Sequence, residues 1–188
     1  MRSLALFILT TFIVLLVSGC GGGEADTAST ESWLEQGAAA IRPYKVELKA
    51  ALTEGMAEGP EAALEVCRVK APHIADVVGS ETLTVGRTSH KLRNPANAPR
   101  AWMKPLLEEA AAKAKAEPRA VDLGGGRVGY VEPIYVGAPC LTCHGEVVGP
   151  ALEGKIAELY PEDKARGFAE GDFRGLFWAE FTPEPAKE

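Results

Sequence analysis

Residues 140–144 read Cys140-Leu141-Thr142-Cys143-His144, and no other feature of this 188-residue chain constrains its fold so tightly. Two thiols three apart, followed at once by an imidazole, form the attachment pattern of a c-type haem. The cysteines Cys140 and Cys143 add to the haem vinyl groups as thioethers, and His144 is held under the iron. A chain with such a site must close a pocket around one covalent haem c, and the polypeptide then tunes the iron. Other uses of the same residues are open. A structural zinc site would need a fourth ligand, for which Cys67 is available. A simple disulfide or a thioredoxin-like site would need no histidine.

The N-terminus fits an exported protein. Arg2 precedes an almost wholly apolar run over residues 4–17, too short to span a membrane comfortably and suited to a signal peptide. It ends Leu16-Val17-Ser18-Gly19-Cys20, which resembles a bacterial lipobox. Residues 1–19 are therefore expected to be a lipoprotein signal peptide, and Cys20 the acylated anchor on a membrane facing the periplasm. Gly21 after the cysteine favours the outer membrane. With Cys20 on lipid and two cysteines on haem, Cys67 alone remains. Exported cysteines usually pair, so this one needs a reason, either iron ligation or burial as a small hydrophobe. The net charge of −6 argues against nucleic acid as a partner and permits docking to a basic redox protein.

Along the chain, residues 20–30 are small and polar and read as a flexible tether. The domain is expected over 31–185. Ile41, Tyr44, Leu48 and Leu52 recur at helical spacing, which predicts a helix over 31–57. Gly59-Pro60 ends it, and Pro60 suits the first turn of a second helix over 60–78. Leu64, Cys67, Ala71, Ile74 and Val78 form its apolar stripe, so Cys67 should point inward. A short strand is expected over 82–85, a third helix over 101–117, and a hairpin around Gly124-Gly125-Gly126. Helices over 152–160 and 162–168 and a last strand over 173–181 complete an α+β domain.

The position opposite His144 has five candidates: Cys67, His73, His90, Met56 and Met103. Cys67 is favoured by its inward stripe and its lack of a partner. A thiolate would lower the iron's potential, and a methionine would raise it. Arg87 and Arg93 lie in a loop dense in Arg, Asn and Pro, and arginine forks match the carboxylates of haem propionates. A peroxidase-like enzyme would instead need an acid–base residue over an open iron site, for which only His73 or His90 is available. A carrier of electrons or a sensor is the preferred reading over an enzyme.

Four strings together carry a family resemblance. They are Ala62-Ala63-Leu64-Glu65-Val66-Cys67 with Ala71-Pro72; Val85-Gly86-Arg87-Thr88-Ser89 with Leu92-Arg93-Asn94-Pro95-Ala96-Asn97-Ala98-Pro99; Pro133-Ile134 before the haem motif; and Tyr160-Pro161 with Asp163, Ala165, Gly167 and Gly171-Asp172-Phe173-Arg174-Gly175. Over about residues 35–182 the chain resembles the Tll0287-like haem domain, also known as DUF3365. The resemblance implies a PAS-like antiparallel sheet flanked by helices around one haem c, with Cys67 as the iron ligand opposite His144 and with Arg87 and Arg93 in the pocket. Some relatives are sensor modules, and a six-coordinate iron whose Cys67 bond NO or CO could displace is expected to serve redox or small-ligand sensing, or one-electron transfer. PAS-like domains often pair, so a homodimer is a further expectation.

Overall fold

The computed structural model describes residues 24–184. The expected signal peptide, Cys20 and the first residues of the expected tether lie outside the described residues. Helix α1 (Glu24–Glu58) begins inside the stretch read as a tether. Once the glycines end at Gly23, nothing in the following run breaks a helix. Ile41, Tyr44 and Leu48 are buried as their spacing predicts, but Leu52 is exposed and Ala51 takes its place. A 3.6-residue repeat advances by three from Leu48, which brings Ala51 inward.

Helix α2 (Pro60–Val78) starts at its proline as expected and continues through Pro72. It lies against α1 as an antiparallel hairpin. The sheet holds β1 (Leu83–Thr88), β2 (Arg119–Gly124), β3 (Arg127–Tyr135) and β4 (Phe173–Phe181), in the order β1-β4-β3-β2 and antiparallel throughout. The glycine hairpin lies where expected. Gly124, Gly125 and Gly126 all take positive φ, at 77°, 63° and 74°, which only glycine adopts at little cost.

Two apolar clusters cover the two faces of this sheet. Ile41, Tyr44, Leu48 and Ala71 of the helical hairpin pack on Val85, Tyr130 and Ala179. Leu107 and Ala110 of α3 (Lys104–Ala111) pack with Val131, Phe173 and Leu176 on the other side. Burying each large side chain such as Ile41, Tyr130 or Leu176 contributes about 2 kcal/mol. Helix α3 stops at Ala111, short of the expected 117. Ala116 is drawn into the second cluster, where its N–H donates to the Tyr135 hydroxyl at 2.6 Å, and Pro118 follows.

Strand β4 carries a bulge. Ile134 pairs with Gly175 but Tyr135 pairs with Phe173, so Arg174 is an extra residue with no partner in β3. The bulge turns Phe173 toward Leu176 and Val131 rather than toward the helical hairpin. Between β3 and β4 lie the short helix α4 (Leu141–His144) and helix α5 (Pro150–Leu159). Leu152, Ile156 and Tyr160 pack on Leu64 of α2, with Cys143 beside them. No helix forms over 162–168, contrary to expectation. Its backbone groups serve other partners: Gly167 and Phe168 donate to Gly145 and His144 carbonyls, each at 3.0 Å. Among the described residues no helix is long and apolar enough to cross a membrane.

Candidate functional site

Cys67 sits at a junction. One turn before it, Leu64 packs on α5; one turn after it, Ala71 packs on the sheet. Cys67 is half-buried and unpaired, as are Cys140 and Cys143. Burial pushes the thiols of Cys67 and Cys143 up, against the opposing pull of nearby arginines. The Cys67 thiol is close enough to push that of Cys143 up further, so α2 and the 140–144 run face a common space.

The run itself is built by local rules. A 3-10 turn (Ala138–Cys140) follows Gly137-Ala138-Pro139, and Cys140 N–H donates to Gly137 O at 2.9 Å. The four-residue α4 then puts Cys140, Cys143 and His144 at i, i+3 and i+4, hence on one side. Gly145 closes it through N–H to Leu141 O at 2.9 Å; any Cβ there would fall 2.6 Å from that carbonyl.

His144 is held at one nitrogen. Its Nδ1 lies 2.7 Å from the carbonyl of Ala165, a fully buried residue. Donation from Nδ1 leaves Nε2 unprotonated and free. Burial drives the imidazole pKa down to about 3, helped by the Arg174 and Arg93 guanidinium groups, so the ring is neutral at ordinary pH. Phe168 meets its ring edge-on at 6.3 Å.

The loop carrying Ala165 is clamped by Arg93. Its Nε and Nη2 grip both oxygens of Asp163 at 3.1 and 3.2 Å, and Nη2 also donates to Cys143 O at 2.6 Å and to Ala165 O at 3.4 Å. Asp163 is 3% exposed. Burial alone would raise its pKa, but hydrogen bonds from Arg93, the Ala165 N–H and Arg166 hold it below the ordinary carboxylate range. Arg93 thus braces the backbone on both sides of His144. Asn94 caps the 3-10 turn (Pro95–Asn97) by accepting from Ala96 N–H at 3.0 Å, which accounts for the Asn-Pro-Ala-Asn string.

Arg87 differs. It lies on β1, not in the loop expected for it, and among the described residues its side chain makes no hydrogen bond or ion pair, yet it is half-buried and its charge reaches Tyr44, Cys67, Tyr160 and His144. A free guanidinium, two unpaired thiols on one face of a turn and an imidazole with one nitrogen spared fit a covalently held haem. The other candidates lie elsewhere. His73 is exposed on α2, and Met103 is fully buried at the start of α3. His90 is exposed and stacks on Phe173 at 5.7 Å. It also meets Phe168, the ring that abuts His144, at 5.9 Å. Met56 is half-buried near the end of α1. Among the described residues no group of three or more His, Cys, Asp and Glu side chains is placed to hold a metal ion, so the zinc reading finds no ligand set.

Sequence reasoning gave no role to Asp163, Ala165, Phe168 or Arg174. Three of these stood in the quoted strings, but only the folded chain brings them to His144. No curated protein matches the chain significantly. The crystal structure of the cyanobacterial heme-protein Tll0287 is similar to it, with a TM-score of 0.53 and 26% sequence identity over 90% of this chain and 100% of that one. The Tll0287-like family model matches residues 24–181, nearly all of the described structure, and the chain belongs to that family.

Proposed function

We propose that the chain is an exported monohaem protein of the c type, anchored to lipid through Cys20, that passes single electrons or senses redox state or a small diatomic ligand. Cys140 and Cys143 are its thioether residues, and His144 and Cys67 its axial ligands. The observation that carries this reading is the 2.7 Å contact between His144 Nδ1 and Ala165 O, found on the histidine of a Cys-x-x-Cys-His run. A ligating histidine needs this kind of partner to fix its tautomer and aim its other nitrogen. Similarity to a solved heme-protein and membership of its family support the same group here. The sheet flanked by helices is compatible with a PAS-like arrangement.

When bound, haem supplies one-electron chemistry at iron, at a low potential if a thiolate is one ligand. The chain supplies position and environment. Arg93 and Asp163 fix the loop that holds His144, and Cys67 is half-buried one turn after Leu64, which packs on α5. Thiol burial disfavours a free thiolate, so Cys67 is poised to ionise only toward a cation.

Protein made with a haem-attachment pathway should keep its colour through acid-acetone extraction and show a low-spin, thiolate-type ferric spectrum. Cys67→Ala should turn that spectrum high-spin or water-bound. An unchanged spectrum removes Cys67 as a ligand, and a colourless wild type removes haem. Cys20→Ser should move the protein from the membrane fraction to the soluble one; if it stays on the membrane, the anchor lies elsewhere.

A further inference from the structure

Three guanidinium groups crowd this site, and their partners are unequal. Arg87 shares the β1 face of Val85, on which Ala71 packs one turn after Cys67; Arg93 donates to Cys143 O; and Arg174 lies on the Phe168 ring that abuts His144. Arg93 has its carboxylate in Asp163. Arg166 shares Asp163 and has Glu153 as well. Arg87 and Arg174 have none among the described residues.

Arg174 is the bulged residue of β4, and the bulge aims it away from the ladder. Its Nη1 donates to Ser89 Oγ at 2.6 Å and to Lys91 O at 3.2 Å, and its guanidinium lies 5.2 Å from the Phe168 ring. Ser89 Oγ in turn donates to Arg174 O at 2.6 Å and accepts from Lys91 N–H at 3.0 Å. The side chain is therefore fixed at one nitrogen, while Nε and Nη2 have no acceptor among the described residues. Burial first, and then Arg87 and Arg93, pull its pKa down to about 10, which the more distant Asp163 only partly offsets. Two unpaired guanidinium groups at a half-buried site are costly unless anions arrive to match them. Haem carries two propionate carboxylates, and an arginine fork fits each.

We infer that Arg87 and Arg174, not Arg93, are the residues that receive the two haem propionates, with Arg93 reserved for bracing Asp163 and the His144 loop. This rests on the haem reading above. It divides three similar side chains into two binding residues and one positioning residue. It also gives the β4 bulge a purpose, since in an unbulged ladder Arg174 would pair with Tyr135.

The test uses the haem-loaded protein and three variants: Arg174→Gln, Arg174→Lys and Arg87→Gln. Resonance Raman reads the propionate bending band, and a redox titration reads the midpoint potential. Both Gln variants should shift the band and lower the potential, because a positive charge near the iron is lost and a carboxylate is left unmatched. The Lys variant should keep most of the potential, as its charge remains, but shift the band, as the fork is gone. A haem-loaded Arg174→Gln protein with an unmoved band and potential overturns the inference and leaves Arg174 as a packing partner of Phe168. If that variant fails to fold, the same readings on Arg174→Lys and Arg87→Gln decide, and unmoved bands in both overturn it. A wild type that carries no haem overturns the parent reading and this one together.

Discussion

The helical hairpin on its sheet and the segment over 137–172 are held by different forces. Under α1 and α2 the chain is regular and the contacts are apolar: Ile41, Tyr44, Leu48, Val85, Tyr130 and Ala179 bury one another. Each contact is small, and none is indispensable. Across 137–172 the backbone turns often, and a few polar side chains hold many partners. Arg93 alone reaches Asp163, Cys143 O and Ala165 O. Ser89 bonds both Arg174 and Lys91, which also meet directly. The first region is a core that the chain builds by itself. The second is a frame around cations, thiols and one imidazole.

That contrast can be broken at its strongest point first. Tyr130→Ala empties space beneath α1 and removes a hydroxyl that donates to Glu132 at 3.3 Å. It should destabilise the protein by about 4 kcal/mol in urea unfolding, with the haem spectrum of the folded fraction unchanged. A changed spectrum would mean that the two regions are not separable. Asp163→Asn attacks the frame. It leaves Arg93 without its carboxylate in a buried place and should cost about 3 kcal/mol. Here the haem spectrum should change as well, because the Ala165 carbonyl loses its anchor. Stability loss without spectral change would detach Asp163 from the site.

The smallest effect is one of pH. Asp163 is held below the ordinary carboxylate range, so in the folded protein it releases its proton more readily than in the unfolded chain. Its contribution is fully present above about pH 4 and is lost as pH falls through its lowered pKa. Thermal unfolding followed from about pH 6 down to about pH 3 should show a steeper decline in the wild type than in Asp163→Asn. Parallel curves would assign acid sensitivity to other groups.

The regular region was largely legible in the sequence. Pro60 marked the start of α2, three glycines marked the hairpin, and the stripe from Leu64 to Val78 put Cys67 on the inward side. Where local rules met tertiary demands they gave way. Ala-rich residues up to 117 favour a helix, yet Ala116 is drawn to Tyr135. Residues 162–168 favour one too, yet Gly167 and Phe168 bond to the backbone at Gly145 and His144. The frame was legible only in part. The Cys-x-x-Cys-His spacing is local and speaks for itself. Asp163 and Arg93 are seventy positions apart, and their pairing leaves no periodic trace. Arg174 stood in one of the strings that carry the resemblance, but its place at a bulge left no sign, because a bulge depends on strand register and register is a property of two strands.

The extra residue in β4 has a consequence for how this strand tolerates change. Alternation along Phe173–Phe181 is in one phase from Gly175 onward and in the opposite phase at Phe173. The strand behaves as two short pieces joined by a phase shift of one. Replacing a side chain on either piece alters one neighbour. Deleting a residue within Gly175–Phe181 would slip one piece against β3 and turn its side chains to the opposite face, whereas deleting Arg174 itself would only make the ladder regular, with Phe173 still opposite Tyr135 and Asp172 O still accepting from Val136 N–H at 2.9 Å. In this strand, then, length is under tighter constraint than identity.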